Sequence, residues 1–160
     1  MRRVTCGLAL AVLTGCASPQ ARLVGHWRLD DAPGAPALAD ASGAGRAAVP
    51  GTGVRLGAGG HGNAARFSGR ADAAAGFDAP ALTNLSVAAW VNVAGWGFGD
   101  KPYPRILETP GCFLHVAPRE PGRIGLTFGA GGRGWSDGGE GFAMGVWTHV
   151  AVAFDGRDVP

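Results

Sequence analysis

The stretch Leu85-Ser86-Val87-Ala88-Ala89-Trp90-Val91-Asn92-Val93 decides the fold class. It combines β-branched and aromatic residues, and it is apolar on both faces around Trp90, which favours a strand over a loop. A strand of this kind is typical of the middle of a packed sheet. We therefore expect it to be a central strand of a β-sandwich.

Further short apolar runs lie on both sides of this stretch. In the last of them, Val150, Val152 and Phe154 alternate with His149, Ala151 and Ala153, so that the two sets face opposite sides of a strand. No stretch has the 3.6-residue period of an amphipathic helix. The pattern predicts strands at 23–29, 53–56, 64–68, 85–93, 105–108, 112–116, 124–128 and 147–154.

Composition agrees with an all-β fold. The chain has 160 residues, of which 29 are Gly and 11 are Pro, yet 46% are hydrophobic. Glycine-rich turns between short apolar strands are typical of sandwiches and barrels. Setting aside Arg2 and Arg3 leaves 12 basic residues, the same number as the acidic ones. Since no basic stripe is present either, we expect no nucleic-acid partner.

The N-terminal segment resembles an export signal. Met1-Arg2-Arg3 is positive, and the apolar residues 4–13 are too few to span a bilayer, which needs about 20. The segment ends in Leu13-Thr14-Gly15-Cys16, which resembles the lipobox of bacterial lipoproteins. The resemblance implies cleavage before Cys16 and acylation of that residue, which would anchor the chain firmly in a membrane. The alternative is an ordinary signal peptide with a chance cysteine.

This resemblance predicts three segments. Residues 1–15 are the signal peptide, 16–22 a lipidated tether and 23–160 the folded domain. The predicted location is the bacterial cell envelope, in the outer membrane for a Gram-negative host because Ala17 rather than Asp follows the cysteine. Cys6 would leave with the signal, so Cys112 would be unpaired, and its apolar surroundings predict a buried, inert thiol.

Four segments resemble the laminin-G-like group of concanavalin A-like jelly-roll domains, in the family's order. They are residues 25–31 (GHWRLDD) with 40–45 (DASGAG), residues 64–69 (AARFSG), residues 85–91 (LSVAAWV) and residues 147–156 (WTHVAVAFDG). The resemblance implies an all-β jelly-roll sandwich. In the family further strands follow the last motif, whereas this sequence stops at Val159-Pro160, so we expect an incomplete domain.

The same resemblance implies a structural Ca²⁺, with Asp30, Asp31 and Asp40 as its candidate ligands. Carboxylate oxygens suit this ion. The alternative is that the three aspartates are turn and cap residues, a role that Asp also favours.

Candidate ligand-binding residues lie in or beside the glycine-rich loops: Trp96, Tyr103, Arg133, Trp135 and Asp137. Aromatic faces on loops of a rigid sandwich suit sugar rings, although the same rings could cover the ends of the core. Some relatives are glucanases with paired carboxylates on one strand. No such pair is legible here, since Asp137 and Glu140 fall in a predicted glycine loop.

We therefore expect a surface-anchored lipoprotein with a non-catalytic jelly-roll domain that binds a glycan or a surface protein. The alternatives are a structural or adhesive module without a small ligand, and a fragment of a glycan-active enzyme.

Overall fold

A computed structural model describes residues 4–7, 22–68, 75–78, 84–95, 103–119, 123–130 and 135–157, with the backbone alone described at 4–7, 135 and 136. Regular structure in these ranges consists of β-strands, and none of these ranges contains a helix long and apolar enough to cross a membrane. The strands described, in chain order, are β1 (Val4–Gly7), β2 (Val49–Pro50), β3 (Val54–Ala58), β4 (Asn63–Phe67), β5 (Ala75–Gly76), β6 (Leu85–Asn92), β7 (Arg105–Thr109), β8 (Cys112–Pro118), β9 (Arg123–Ala130), β10 (Trp135–Ala143) and β11 (Thr148–Phe154).

These strands form antiparallel sheets, so the all-β prediction is confirmed. The first sheet has the order β11-β6-β1-β4-β3, and the second has the order β10-β9-β8-β7. Strands β2 and β5 pair separately. The second sheet is a meander in which each strand pairs with its successor, whereas β11 returns to the first sheet and pairs with β6 along its whole length.

The two larger sheets share one hydrophobic core. Val87 from β6 lies in the same buried cluster as Leu114 from β8 and Phe128 from β9. Alternation places these side chains on the inner faces, since β6 buries every second residue from Leu85 onward. Burying each large aliphatic side chain contributes about 1.5–3 kcal/mol, so the shared core holds the two sheets face to face.

The two strands on which the sequence analysis rests are confirmed. Strand β6 lies inside the sheet order, as predicted for residues 85–93, although Trp90 on its outer face is 37% exposed rather than covered. In β11, Val150 is buried, Val152 and Phe154 pack against the core, and His149 is exposed. Cys112 is a buried free thiol, as expected.

The predicted strand at residues 23–29 is wrong. This segment makes a single isolated bridge, between Trp27 and Asp40, and otherwise bonds to the loop that follows it. The Trp27 side chain is buried, packs on Phe77 at 4.5 Å between ring centroids, and donates to the Arg46 carbonyl at 2.8 Å. The apolar character of residues 23–29 therefore reflects the burial of Trp27 and Leu29 in the core and not membership of a sheet.

The predicted loop around Asp137 and Glu140 is also wrong, because these residues belong to β10. Its backbone pairs with β9, and the register shifts between Gly138 and Phe142. Gly139 and Gly141 have φ of 79° and 77° there, a conformation that glycine adopts readily. The glycines thus permit an irregularity within a strand rather than ending it.

Strand β1 lies inside the segment predicted to be a signal peptide. Val4–Gly7 pairs with both β4 and β6 and so occupies the middle of the first sheet. The predicted lipidation residue Cys16 lies outside the described residues, and with it most of the predicted tether. Cleavage before Cys16 thus stays a prediction, and it would remove an internal strand.

Candidate functional site: the outer face of the second sheet

The outer face of the second sheet carries a column of stacked groups. On β8, Cys112, Leu114 and Val116 point into the core, so Phe113 and His115 point outward. The Phe113 and His115 rings are parallel within 1°, with centroids 5.2 Å apart. Tyr103 lies on the other side of His115, at 5.1 Å and 12°.

The cationic side chain of Arg105 contacts the Phe113 ring. The Arg105 guanidinium carbon lies over the Phe113 ring, 4.5 Å from its centroid. Such contacts contribute roughly 0.5–1 kcal/mol at exposed sites. The order is therefore Arg105, Phe113, His115, Tyr103, which we call the ring stack. Its Tyr103 end is 46% exposed, so one aromatic ring of the stack is available to solvent.

Polar side chains continue from the ring stack across the sheet. His115 on β8 is the register partner of Thr127 on β9, which in turn is the partner of Asp137 on β10. The Thr127 hydroxyl donates a hydrogen bond to the Asp137 carboxylate, and Arg119 lies 3.7 Å from the other carboxylate oxygen. We call Thr127, Asp137 and Arg119 the Asp137 network.

His115 joins the two groups and is held neutral. Burial lowers its pKa, and the positive charge of Arg105 lowers it further, against a smaller opposing effect of Asp137. Its Nδ1 atom is buried, and no described protein group lies within hydrogen-bond distance of it. A neutral imidazole has one donor and one acceptor, and the position at Nδ1 is shielded from solvent without a partner among the described residues.

Two glycines on β9 make room for this face. A Cβ on Gly129 would lie 2.2 Å from the Phe113 ring, and one on Gly125 would lie 2.3 Å from the Arg119 side chain. Both distances are far below van der Waals contact. Glycine at these positions therefore lets the ring and the guanidinium stem lie flat on the sheet.

Some of the predicted ligand-binding residues lie on this face. Tyr103 and Asp137 lie at opposite sides of it, linked through His115 and Thr127. The Trp135 backbone pairs with Gly129, two register positions from the Asp137–Thr127 pair. Trp96 and Arg133 lie outside the described residues.

Sequence analysis did not identify Arg105, Phe113, His115, Arg119 and Thr127 as site residues. One sequence pattern did indicate part of the site. In the predicted strand at 112–116, Phe113 and His115 lie on one face, and the other face carries Cys112, Leu114 and Val116. A second was the alternation of Gly125, Thr127 and Gly129 along one face. The register that brings these strands side by side could not be inferred from either pattern.

The three predicted calcium ligands do not converge. Asp30 pairs with Arg28 at 2.9 Å, and Asp31 accepts a hydrogen bond from the Ala39 amide at 3.1 Å. Within the described ranges, no group of three His, Cys, Asp or Glu side chains is placed to hold a metal ion. Calcium binding stays a prediction.

Asp40 organises the loop that follows Trp27. Its Oδ1 accepts from the His26 and Ser42 amides, and its Oδ2 accepts from the Ser42 hydroxyl and the Arg46 amide, at 2.8–2.9 Å. Burial opposes ionisation of this carboxyl, but the four hydrogen bonds outweigh it and hold the pKa well below its usual range. This is the turn-residue role that was left open for the aspartates.

The first sheet carries a separate aromatic group on its outer face. Trp90 contacts the rings of His61 and His149 at centroid distances of 4.8 and 5.3 Å. His149 is the register partner of Trp90, whereas His61 belongs to the turn between β3 and β4.

The outer face of the second sheet thus offers an exposed ring at Tyr103, a half-buried imidazole at His115 and a hydrogen-bonded carboxylate at Asp137. Such a surface can stack on an apolar ring face and exchange hydrogen bonds with hydroxyl groups. Comparison with protein-family models, curated proteins and solved structures found no match to this chain.

Proposed function

We propose that the chain is a surface-anchored lipoprotein whose jelly-roll sandwich binds carbohydrate, without catalysis, on the outer face of its second sheet. The observation that carries this proposal is the ring stack with its exposed Tyr103 ring. The Asp137 network supplies the hydrogen-bonding edge of the same face.

The sheet connections support the jelly-roll assignment. Two antiparallel sheets share a core, and after the meander β7–β10 the chain crosses back to place β11 beside β6. Crossing between two packed sheets is the feature that separates jelly rolls and Greek keys from simple meanders.

The chemistry of the face favours a sugar over an apolar peptide. A sugar ring has one face of C–H groups, which suits the exposed Tyr103 ring, and a rim of hydroxyls, which suits the Asp137 carboxylate and the Arg119 guanidinium. Aromatic rings beside a few placed polar groups are the usual composition of small-molecule sites. Sheet residues position these groups more rigidly than loop residues would.

A glycan array with the full chain tests this proposal. Tyr103→Ala removes the exposed ring and is expected to weaken binding about tenfold or more, the scale of one lost aromatic contact. Tyr103→Phe keeps the ring and should keep most of the binding. Val49→Ala removes an exposed apolar side chain outside both large sheets and serves as the control. Absence of glycan binding, or equal binding by Tyr103→Ala, refutes the site.

The membrane anchor has its own test. The intact mass of the protein made in a bacterial host should show a lipid-sized increase that Cys16→Ser abolishes. An unmodified product cleaved elsewhere would refute anchoring while leaving the glycan site open.

A further inference from the structure

Strand β1 fills a position between two strands of the first sheet that could accept an extended chain. β1 runs antiparallel to β4 on one side and to β6 on the other. Thr5 lies opposite Arg66 and Asn92, and Cys6 lies opposite Ala65 and Val91. The backbone of residues 4–7 therefore bridges two strands that do not pair with each other.

The two flanking strands are built into the core. Ala65 on β4 is 0% exposed and Val91 on β6 is 2% exposed. Neighbouring strands lie about 4.8 Å apart, so β4 and β6 are separated by about twice that distance. Without β1 they would present facing rows of unpaired N–H and C=O groups, which attract any extended chain.

Strand β1 overlaps the segment that is predicted to be an export signal. Val4–Gly7 lies within residues 1–15, which carry the features of a cleaved export signal. A segment that is to be removed would then supply an internal strand of the domain. The strand and the export signal are competing uses of the same residues.

We propose that the space between β4 and β6 is a slot that accepts an extended strand, and that Val4–Gly7 is its occupant in the uncleaved chain. A chain that folds before it is processed holds its own signal segment in the sheet. Processing must therefore precede folding, or else pull β1 out of the slot. This inference is independent of glycan binding on the second sheet.

The slot restricts what its occupant can be. Gly7 lies opposite Trp90, and directly opposed residues in an antiparallel pair share a face. The Trp90 ring on that face is already contacted by His61 and His149. Glycine at this position places no side chain on the face that these three rings occupy.

A cross-link in the full, uncleaved chain tests the slot. Opposed residues in antiparallel strands fall within the Cα separation that a disulfide needs. Ala65→Cys places a thiol opposite the native Cys6, so mild oxidation should join the two, as seen by peptide mass mapping. Arg66→Cys is the matched control, since its partner is Thr5 and it faces the other side of the sheet.

Because Ala65 is fully buried, two further measurements accompany this variant. Val91→Cys places a thiol opposite Cys6 from β6 and should form the equivalent disulfide. In the unmodified chain, amides of residues 5–7 should exchange with deuterium far more slowly than in the urea-unfolded chain. Exchange at the unfolded rate in a chain that retains its far-ultraviolet β signal would overturn the proposal, as would Cys6 linked equally well to position 66.

Discussion

Replacement of Gly129 by alanine should disturb the ring stack without removing any ring. The added Cβ would lie 2.2 Å from Cζ and 2.4 Å from Cε1 of Phe113. Carbon atoms pack at about 3.5–4.0 Å, so the ring would have to retreat by more than about 1 Å. It has little freedom to do so, since the parallel His115 ring lies 5.2 Å away and the Arg105 guanidinium carbon lies 4.5 Å from its centroid.

The expected loss of stability in Gly129→Ala follows from the limited freedom of the Phe113 ring to move. Overpacking of an ordered site costs about 1–3 kcal/mol. For a chain of this size, that corresponds to a fall in Tm of roughly 2–12 °C. Thermal unfolding followed by circular dichroism measures the shift, and a reduced near-ultraviolet signal should report the displaced aromatic rings.

Gly125→Ala is the matched control, on the same strand and the same face. Its Cβ would lie 2.3 Å from the Arg119 side chain, as close as in the first variant. Arg119 is a flexible side chain held by a partly exposed ion pair with Asp137, worth at most about 1 kcal/mol. A Tm for Gly129→Ala equal to that of Gly125→Ala would refute the rigidity of the stack.

Two further predictions concern titrating groups. Asp40→Ala should destabilise the fold by about 2 kcal/mol at pH 7, because it leaves the three backbone amides that Asp40 accepts from without their partner. The folded pKa of Asp40 is lowered, so its contribution is complete above its unfolded pKa of about 3.9 and is lost as pH falls below that value. Urea unfolding at pH 7 and pH 3 should therefore give a smaller difference between Asp40→Ala and the natural chain at pH 3, and an unchanged difference would contradict this account. For His115, the lowered folded pKa means that stability is complete above about pH 6.5 and falls as pH drops below it, so His115→Gln should flatten the loss between pH 7 and pH 5. Equal pH slopes for the two proteins would argue against a lowered pKa at His115.

Sequence patterns predicted those strands whose side chains alternate strictly. Leu85–Asn92 and Thr148–Phe154 place one residue in two toward the core, and this period of two is a local property of an extended chain. The same reasoning failed for Trp135–Ala143, where glycines and a register shift remove the alternation. For residues 23–29 the same reasoning predicted a strand where none forms, because the buried Trp27 gives the segment an apolar character similar to that of a strand.

For the candidate site, the sequence indicated Tyr103 and Asp137 as members but not why they belong together. Their connection passes through His115 and Thr127, which come from two other strands. Only the antiparallel register of β8, β9 and β10 aligns these residues in one row. A shift of one residue in that register would send each of them to the opposite face.

The sequence by itself determined that this chain is all-β, that Cys112 is buried, and which face of its best strands points inward. Each of these depends on the order of apolar and polar residues within a few positions. The tertiary structure alone decided which strands are neighbours, and therefore that four groups from two chain segments stack on one sheet face and that Val4–Gly7 lies between β4 and β6. The physical reason is that backbone hydrogen bonds between strands are alike for nearly all residues, so partner and register are selected by the packing of the whole core.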